Sequence, residues 1–354
     1  QGGQPTKAMQ VVKDEIEAAR GQHRREATAL QKMALVLTTT NNAKDAEDYL
    51  KEAQSVFLKT KESKGEASAW ILIAEYYIGQ KRYDEAIAAA RRAVDLLRDL
   101  GETMQMVSVL KLITSVHIES GDQHAALATS LEQQAAFADA RFRDEEAATL
   151  LGIADFVYAS EGPRNALTYA LDARAIYHDR DGGPDKECEA AALITIANLE
   201  LSNKMVMEAQ RSAEEASALF GEVRDIAGQV TALQTLASVH LAADRFPEAV
   251  AAASDARDLY KQADMVKEEA SSWQVVAQCY LAACQKNAET GREPTRSREA
   301  AQEAFRAAEE SYRLFRAVGE QEGQAYAMQI TANALFYGDK FEDAVKAAKE
   351  ALEA

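Results

Sequence analysis

Proline is scarce in this sequence, and so are aromatic residues. The 354 residues include 5 prolines, and aromatic side chains make up 7% of the chain. Because proline interrupts helices, its scarcity leaves room for many uninterrupted ones. The hydrophobic fraction is nevertheless 47%, so the apolar material is mostly alanine and aliphatic side chains. The composition therefore favours helices that pack through small residues rather than a core of aromatic clusters.

Cysteines, long apolar runs and an N-terminal signal are also lacking. Cys188, Cys279 and Cys284 are too few and too irregularly spaced for a disulfide framework. No apolar run approaches the roughly 20 residues of a membrane-spanning helix. The first residues lack the basic, apolar and cleavage regions of a signal peptide. These absences predict a cytoplasmic protein whose cysteines are small packing residues.

A positive net charge is missing as well. Lysine and arginine number 40 against 57 aspartate and glutamate residues, which gives a formal net charge of −17. Nucleic acids and anionic membrane surfaces attract basic patches, so this charge argues against both as partners. The charge is compatible with basic partners and equally with a role in solubility alone.

What the sequence does contain is a helical hairpin that occurs eight times. In the stretch 65–101, Trp70, Ala74 and Tyr77 share one helix face, and Ala86 lies on the next helix. Counterparts of Ala74 are Ala34, Thr114, Ala154, Ala197, Ala237, Ala277 and Ala332, and counterparts of Ala86 are Ala46, Ala126, Ala166, Ala209, Ala249, Ala304 and Ala344. The two series lie 12 residues apart in every repeat except the seventh, where they lie 27 apart. The seventh hairpin therefore carries an insertion of 15 residues.

This spacing divides the chain into a leading half repeat and eight full repeats. A single array is predicted over 1–354, with the half repeat at 7–20 and the full repeats at about 21–62, 63–102, 103–142, 143–181, 182–225, 226–265, 266–320 and 321–354. Two helices per repeat plus the leading helix predict about seventeen helices. One hairpin cannot bury its apolar face alone, so neighbouring hairpins have to stack.

The pattern resembles the tetratricopeptide repeat (TPR), in the form of about 40 residues found in kinesin light chains and several bacterial peptide-sensing regulators. The residues that carry the resemblance are Trp70, Ala74, Tyr77, Tyr83 and Ala86. Repeat 3 departs most, with Thr114 in its first helix and Gln133 where alanine is expected. The resemblance implies an all-α solenoid of stacked antiparallel helical hairpins in a right-handed superhelix. It leaves the function open, because such arrays serve many partners.

No catalytic or cofactor signature accompanies the repeats. The sequence lacks a phosphate-binding glycine loop, a zinc-spaced Cys/His cluster and a nucleophile elbow, so we predict no enzyme, no cofactor and no metal site. His117 and His240 fall where the repeat places an aromatic residue, which favours core packing with one ring nitrogen hydrogen-bonded. The acidic segment 179–187 faintly resembles a calcium loop, but it lacks the spacing to a terminal glutamate, which favours a solvated turn.

The insertion at 285–298 is locally basic in an acidic protein. It contains Arg292, Arg296 and Arg298. We interpret it as a solvated loop, with a partner contact as the alternative.

The resemblance also implies where a ligand would bind. In this family the first helix of each repeat lines a concave groove, with positions one residue after the small residue and three before it facing inward. The polar candidates in repeats 5–8 are Asn198, Gln234, Ser238, Gln274, Gln278, Gln329 and Asn333. An amide offers both donors and acceptors, so it can bond the main chain of an extended peptide. Tyr326, Phe336 and Tyr337 are predicted to form an apolar pocket at one end. The same positions would also be polar if the groove only faced water.

The leading hypothesis is a non-catalytic scaffold, part of a larger protein or complex, that binds a protein or an extended peptide in this groove. The alternative is an assembly solenoid that associates end to end. That alternative depends on the last helix, which lacks a polar cap and is predicted to leave Ala344, Ala348 and Ala351 facing outward. An enzyme is a more distant third hypothesis, because the insertion would have to supply its site.

Overall fold

A computed structural model describes residues 3–39, 43–60, 62–180, 182–290 and 294–353, and these residues form seventeen α-helices and no β-strand. The predicted all-α solenoid of helical hairpins is thereby confirmed. The chain divides into two compact bodies, with the boundary after Phe156. None of the described helices is long and apolar enough to cross a bilayer. The single array over the whole chain stays a prediction.

The helices of the N-terminal body are α1 (Gly3–Ala19), α2 (His23–Thr39), α3 (Ala43–Thr60), α4 (Ser63–Gly79), α5 (Tyr83–Asp99), α6 (Thr103–Ser120), α7 (Gln123–Asp139) and most of α8 (Arg143–Glu161). The C-terminal body continues with α9 (Pro163–His178), α10 (Lys186–Ser202), α11 (Val206–Val223), α12 (Ile226–Ala242), α13 (Phe246–Gln262), α14 (Val266–Thr290), α15 (Pro294–Val318), α16 (Gln321–Tyr337) and α17 (Phe341–Glu353). Each predicted repeat contains two of these helices.

Small residues allow the helices of each hairpin to pack closely. Every alanine in the two sequence series is at most 8% exposed, and most are fully buried. Because alanine has only one side-chain carbon, two helix backbones can approach closely at these points. Both series therefore lie in packed interfaces, where the sequence pattern places them.

A recurring turn brings the two helices of a hairpin antiparallel. Between α12 and α13, Asp244 adopts a left-handed conformation with φ of 57°. The N–H of the following Arg245 donates to the carbonyl oxygen of His240 at 2.9 Å. This bond satisfies a carbonyl group that the end of the helix leaves without a partner. In repeat 3 the left-handed position is taken by Gly121.

The unusual residues of repeat 3 compensate one another. Gln133 on α7 is 4% exposed, and its amide donates to the hydroxyl oxygen of Thr114 on α6 at 2.8 Å. The Thr114 hydroxyl donates in turn to the carbonyl of Leu110 at 3.1 Å. A partly buried hydrogen bond thus replaces the alanine packing of the other repeats.

We expect Thr114→Val to lower the free energy of unfolding by about 1–3 kcal/mol, because it leaves the buried Gln133 amide without its acceptor. Urea denaturation followed by circular dichroism measures the change. In the double variant Thr114→Val/Gln133→Met both partners become apolar at nearly constant shape, so much of the loss should be recovered. A single variant as stable as the parent would show that the hydrogen bond contributes nothing.

The insertion in repeat 7 lengthens both helices of its hairpin. Helices α14 and α15 have 25 residues each, against 17 in α12 and 17 in α13. The predicted loop at 285–298 is therefore wrong for residues 285–290 and 294–298, which are helical. Arg292 lies outside the described residues. The Cys284 thiol donates to the Ser297 carbonyl at 3.3 Å, which joins the two extensions.

The outward face of α17 also differs from the prediction. Ala344 is 7% exposed and Ala351 is half-buried, so of the three predicted alanines only Ala348 is exposed. The large apolar residues that face solvent are Phe341, Val345 and Leu352. The prediction was wrong for Ala344 and Ala351, because the side of α17 that carries them packs toward α16 and the larger side chains face outward.

Candidate binding face

The first helices of the last four repeats lie side by side in the C-terminal body. Helix α10 contacts α12, α12 contacts α14, and α14 contacts α16. Residues at equivalent positions therefore form lines that run from helix to helix. The candidate face is defined here as the solvent-accessible side of these four helices.

All seven polar residues predicted from the sequence reach solvent on this face. Asn198, Ser238, Gln278, Gln329 and Asn333 are exposed, and Gln234 and Gln274 are half-buried. They form two lines, one of Gln234, Gln274 and Gln329 and one of Asn198, Ser238, Gln278 and Asn333. Side-chain donors and acceptors thus recur at equivalent places on consecutive helices.

Two of the amides already bond a neighbouring helix. The Gln274 side chain on α14 donates to the main-chain carbonyl of Gly323 on α16 at 3.1 Å. Gln278 donates to the hydroxyl of Tyr326 at 2.6 Å. Each of these bonds uses one N–H, which leaves a second N–H and the amide oxygen available in each case. Gln274 shows how an amide on this face binds a main-chain group.

The three predicted aromatic residues do not form one pocket. Tyr326 and Phe336 are ten residues apart on α16, which is about 15 Å along a helix axis. The Phe336 ring instead meets Tyr337 at 5.5 Å and Phe341 at 5.6 Å between centroids, both edge-on. Tyr326 therefore belongs with the amides, and an aromatic cluster lies at the other end of α16. Sequence reasoning missed Phe341 because this residue lies across the turn on α17.

The two buried glutamates of α10 bond residues on other helices. Glu189 is 3% exposed, and one of its oxygens lies 3.0 Å from His178 Nδ1 and 3.4 Å from Arg174 Nε. Glu200 accepts a hydrogen bond from the hydroxyl of Ser212 on α11 at 2.7 Å, and burial raises the pKa of this carboxyl. Neither carboxylate contributes to the candidate face.

His240, Cys279 and Cys284 are core residues of this body. His240 is 7% exposed, and burial together with Arg245 lowers its pKa. Among the described residues its Nδ1 has no hydrogen-bond partner. Cys279 and Cys284 are buried, and burial raises the pKa of each thiol to about 11. Both cysteines are therefore protonated packing residues, as the sequence indicated.

The acidic segment at 179–187 forms a turn and the start of α10, and its Asp185 carboxylate has local partners. Asp185 accepts a hydrogen bond from the N–H of Cys188 at 3.1 Å, which caps α10, and pairs with Arg180 at 2.8 Å. Asp181 lies outside the described residues. Within the described ranges no group of three or more metal-ligating side chains occurs.

No protein-family model and no curated protein matches the sequence. A similar solved structure is a signal-transduction ATPase with a tetratricopeptide repeat sensor from Pyrococcus horikoshii, at 12% identity and a TM-score of 0.54. That match covers 100% of this chain and 53% of the ATPase chain. The fold is that of a tetratricopeptide repeat array. The TPR resemblance predicted from the sequence is thus confirmed for the fold.

Two further solved structures are similar to this TPR array at lower scores. Aspartyl phosphate phosphatase F from Bacillus subtilis has 9% identity and a TM-score of 0.47, with 90% of this chain and 91% of that chain covered. Kinesin light chain repeats from Podospora anserina have 15% identity and a TM-score of 0.46, with 58% and 92% covered. Likenesses at this level imply no shared activity.

Proposed function

We propose that the C-terminal body is a non-catalytic scaffold that binds an extended protein segment or peptide on the candidate face. The observation that carries this proposal is the pair of polar lines, one across three and one across four consecutive first helices. An extended chain presents its N–H and C=O groups at regular intervals, and amides at regular intervals can bond them. The bond from Gln274 to the Gly323 carbonyl is an example of such a contact within the protein.

The state of the nucleophilic side chains supports binding rather than catalysis. A thiolate is the reactive form of cysteine, and a thiol with a pKa of about 11 is almost wholly protonated at neutral pH. His240 is buried and does not reach the candidate face. The side chains of the two polar lines are amides and hydroxyls, which recognise polar groups without activating them.

We expect Gln234→Ala/Gln329→Ala/Asn333→Ala to weaken peptide binding by more than about tenfold, because each lost amide contact costs about 0.5–1.5 kcal/mol. Linear peptides selected from a displayed random library against the intact chain serve as probes, and fluorescence anisotropy gives their affinities. Gln274 is left unchanged because its side chain also joins α14 to α16, and replacing it would break that contact within the protein. The melting temperature should stay close to that of the parent.

Lys111→Ala/Ser115→Ala is the matched control. Both residues are exposed on α6 at the equivalent positions of repeat 3, in the other body. This control should bind the selected peptides as the parent does. If no linear peptide is selected, or if the triple variant binds as tightly as the parent, the proposal is wrong.

A second candidate function is assembly through α17, favoured by its exposed apolar residues. Phe341 and Val345 are 54% and 56% exposed, and Leu352 is 88% exposed. They lie four and seven residues apart, so they share one helix face. Such a face would suit a second copy of this chain, since two copies would remove both apolar faces from water.

We expect light scattering to show a molar mass that rises with concentration for the parent and stays monomeric for Val345→Glu/Leu352→Glu, since the carboxylates disrupt an apolar contact. Glu342→Gln, on the same helix, is the control. A parent that is monomeric at every concentration would exclude assembly through α17.

A further inference from the structure

The part of the candidate face that holds the two polar lines carries no exposed charge in an otherwise highly charged protein. This part is the solvent-accessible side of residues 191–202, 231–242, 271–282 and 326–337, which are four windows of twelve residues. At the 27% charged content of the chain, about 13 of these 48 positions would be charged. The windows contain a single charged residue, Glu200, which is 8% exposed and hydrogen-bonded to Ser212.

The equivalent surface of the N-terminal body differs. Glu75 on α4 and Lys111 on α6 occupy the same positions as the amides, and both are exposed. The TPR fold therefore accepts charges at these positions. The uncharged surface is a property of the C-terminal body.

An apolar line runs beside the polar lines on the candidate face. It consists of the residue four places after the small residue of each first helix, namely Leu201, Leu241, Leu281 and Phe336. The three leucines are half-buried and Phe336 is 54% exposed. This line lies about one helical turn from the line that contains Asn198 and Asn333. An occupant of the face would thus meet apolar contacts and amides in parallel.

The spacing of these lines fits one backbone conformation. Directly packed helices lie about 8–10 Å apart, so the apolar line repeats at about that interval. A polyproline II segment returns to the same side every third residue, about 9 Å along its axis, and leaves its main-chain groups unbonded. In a β-strand, side chains three residues apart point to opposite faces, so apolar side chains at every third position would not all meet the apolar line. An α-helix repeats at about 10.5 Å over seven residues, but its main chain is bonded internally and would leave the amides unused.

We propose that the occupant of the candidate face is an uncharged extended segment in the polyproline II conformation, with an apolar side chain at every third position. This proposal rests on the proposed function and specifies its ligand. The apolar side chains contact the line from Leu201 to Phe336, and the free main-chain groups bond the amides. A charged side chain in the middle of the segment would lose its water and find no partner, so the face selects against it.

The peptide selection against the intact chain tests this proposal. We expect peptides that need Gln234, Gln329 and Asn333 for binding, contain few Asp, Glu, Lys or Arg residues in their central part, and carry apolar residues three apart. Amide-dependent peptides with charged centres would overturn the ligand class and leave the proposed function standing. A selection that gives no amide-dependent peptides would overturn both the ligand class and the proposed function.

A defined probe tests the same proposal with a matched pair of variants. The probe is a capped 12-residue peptide of four Leu-Pro-Gln repeats, and Leu-Pro-Glu and Leu-Pro-Lys versions are compared at physiological salt to screen the net charge of the protein. Both charged versions should bind at least about tenfold more weakly than the uncharged probe.

Placing a charge on the face should have the same effect. Ser238 and Ser115 are exposed serines at equivalent positions of α12 and α6, and each hydroxyl donates to a carbonyl of its own helix. Ser238→Lys should lower the affinity for the uncharged probe at least about tenfold, and Ser115→Lys should leave this affinity unchanged. Equal affinities of both variants, or of charged and uncharged probes, would overturn the proposal.

Discussion

Replacing Leu193 by alanine is expected to lower the free energy of unfolding by about 2–5 kcal/mol. Leu193 on α10 is fully buried and lies in a cluster with Ala216 and Phe220 of α11 and Ala232 of α12. Three helix backbones surround the side chain, so the space left by its removal cannot collapse completely. The site lies where one hairpin meets the next, and the change should weaken both contacts.

Leu171→Ala is the matched control, because Leu171 on α9 is 43% exposed. This change should alter the free energy of unfolding by less than about 0.5 kcal/mol. Urea denaturation of both variants, followed by far-ultraviolet circular dichroism, measures the difference. Equal losses for the two leucines would contradict the position of Leu193 at the centre of the packed interface.

Replacing Gly228 by alanine is expected to destabilise the C-terminal body by about 1–3 kcal/mol, although alanine is the better helix former. A Cβ atom at this position would lie 2.3 Å from a ring carbon of Phe220 and 2.3 Å from a carboxylate oxygen of Asp225. The Phe220 ring is 4% exposed and held by its neighbours, so it cannot move aside cheaply. The backbone of α12 would have to shift away from α11.

The same glycine–phenylalanine contact occurs at two other hairpin junctions. Gly65 meets Phe57 at 2.2 Å and Gly323 meets Phe315 at 2.5 Å, measured from the Cβ position to the ring. In all three cases the glycine follows the phenylalanine by eight residues. This recurrence indicates that a missing side chain at the start of a first helix accommodates the ring of the preceding second helix.

Gly152→Ala is the control with the opposite expected sign. Gly152 lies on α8, is exposed, and has no other atom within 4 Å of its Cβ position. Alanine there should stabilise the chain by about 0.5–1 kcal/mol through helix propensity alone. Thermal melting of the two variants should therefore shift in opposite directions. A Gly228→Ala variant that melts above the parent would falsify the packing argument.

The order and number of helices followed from the sequence because the repeat pattern is local. A helix turns every 3.6 residues, so the spacing of Ala237 and Ala249 determines which faces of a hairpin meet. Both are buried as expected. The same periodicity determined that Gln234 and Ser238 would share a surface. The assignment of seven polar residues to one face came from the TPR resemblance, which implies that the first helix of each repeat lines the groove, and their role in binding stays a proposal.

Other features depended on residues that meet only across helices, which local periodicity does not encode. Thr114 and Gln133 looked like two defects in the sequence, but they form one hydrogen bond because α6 packs on α7. The ring of Phe336 pairs with Phe341 rather than with Tyr326, because the turn after α16 brings α17 back beside it. The insertion in repeat 7 continues α14 and α15 because each extension finds the other to pack against. Only the tertiary structure could decide these points, since each depends on the distance between side chains that the sequence places on separate helices.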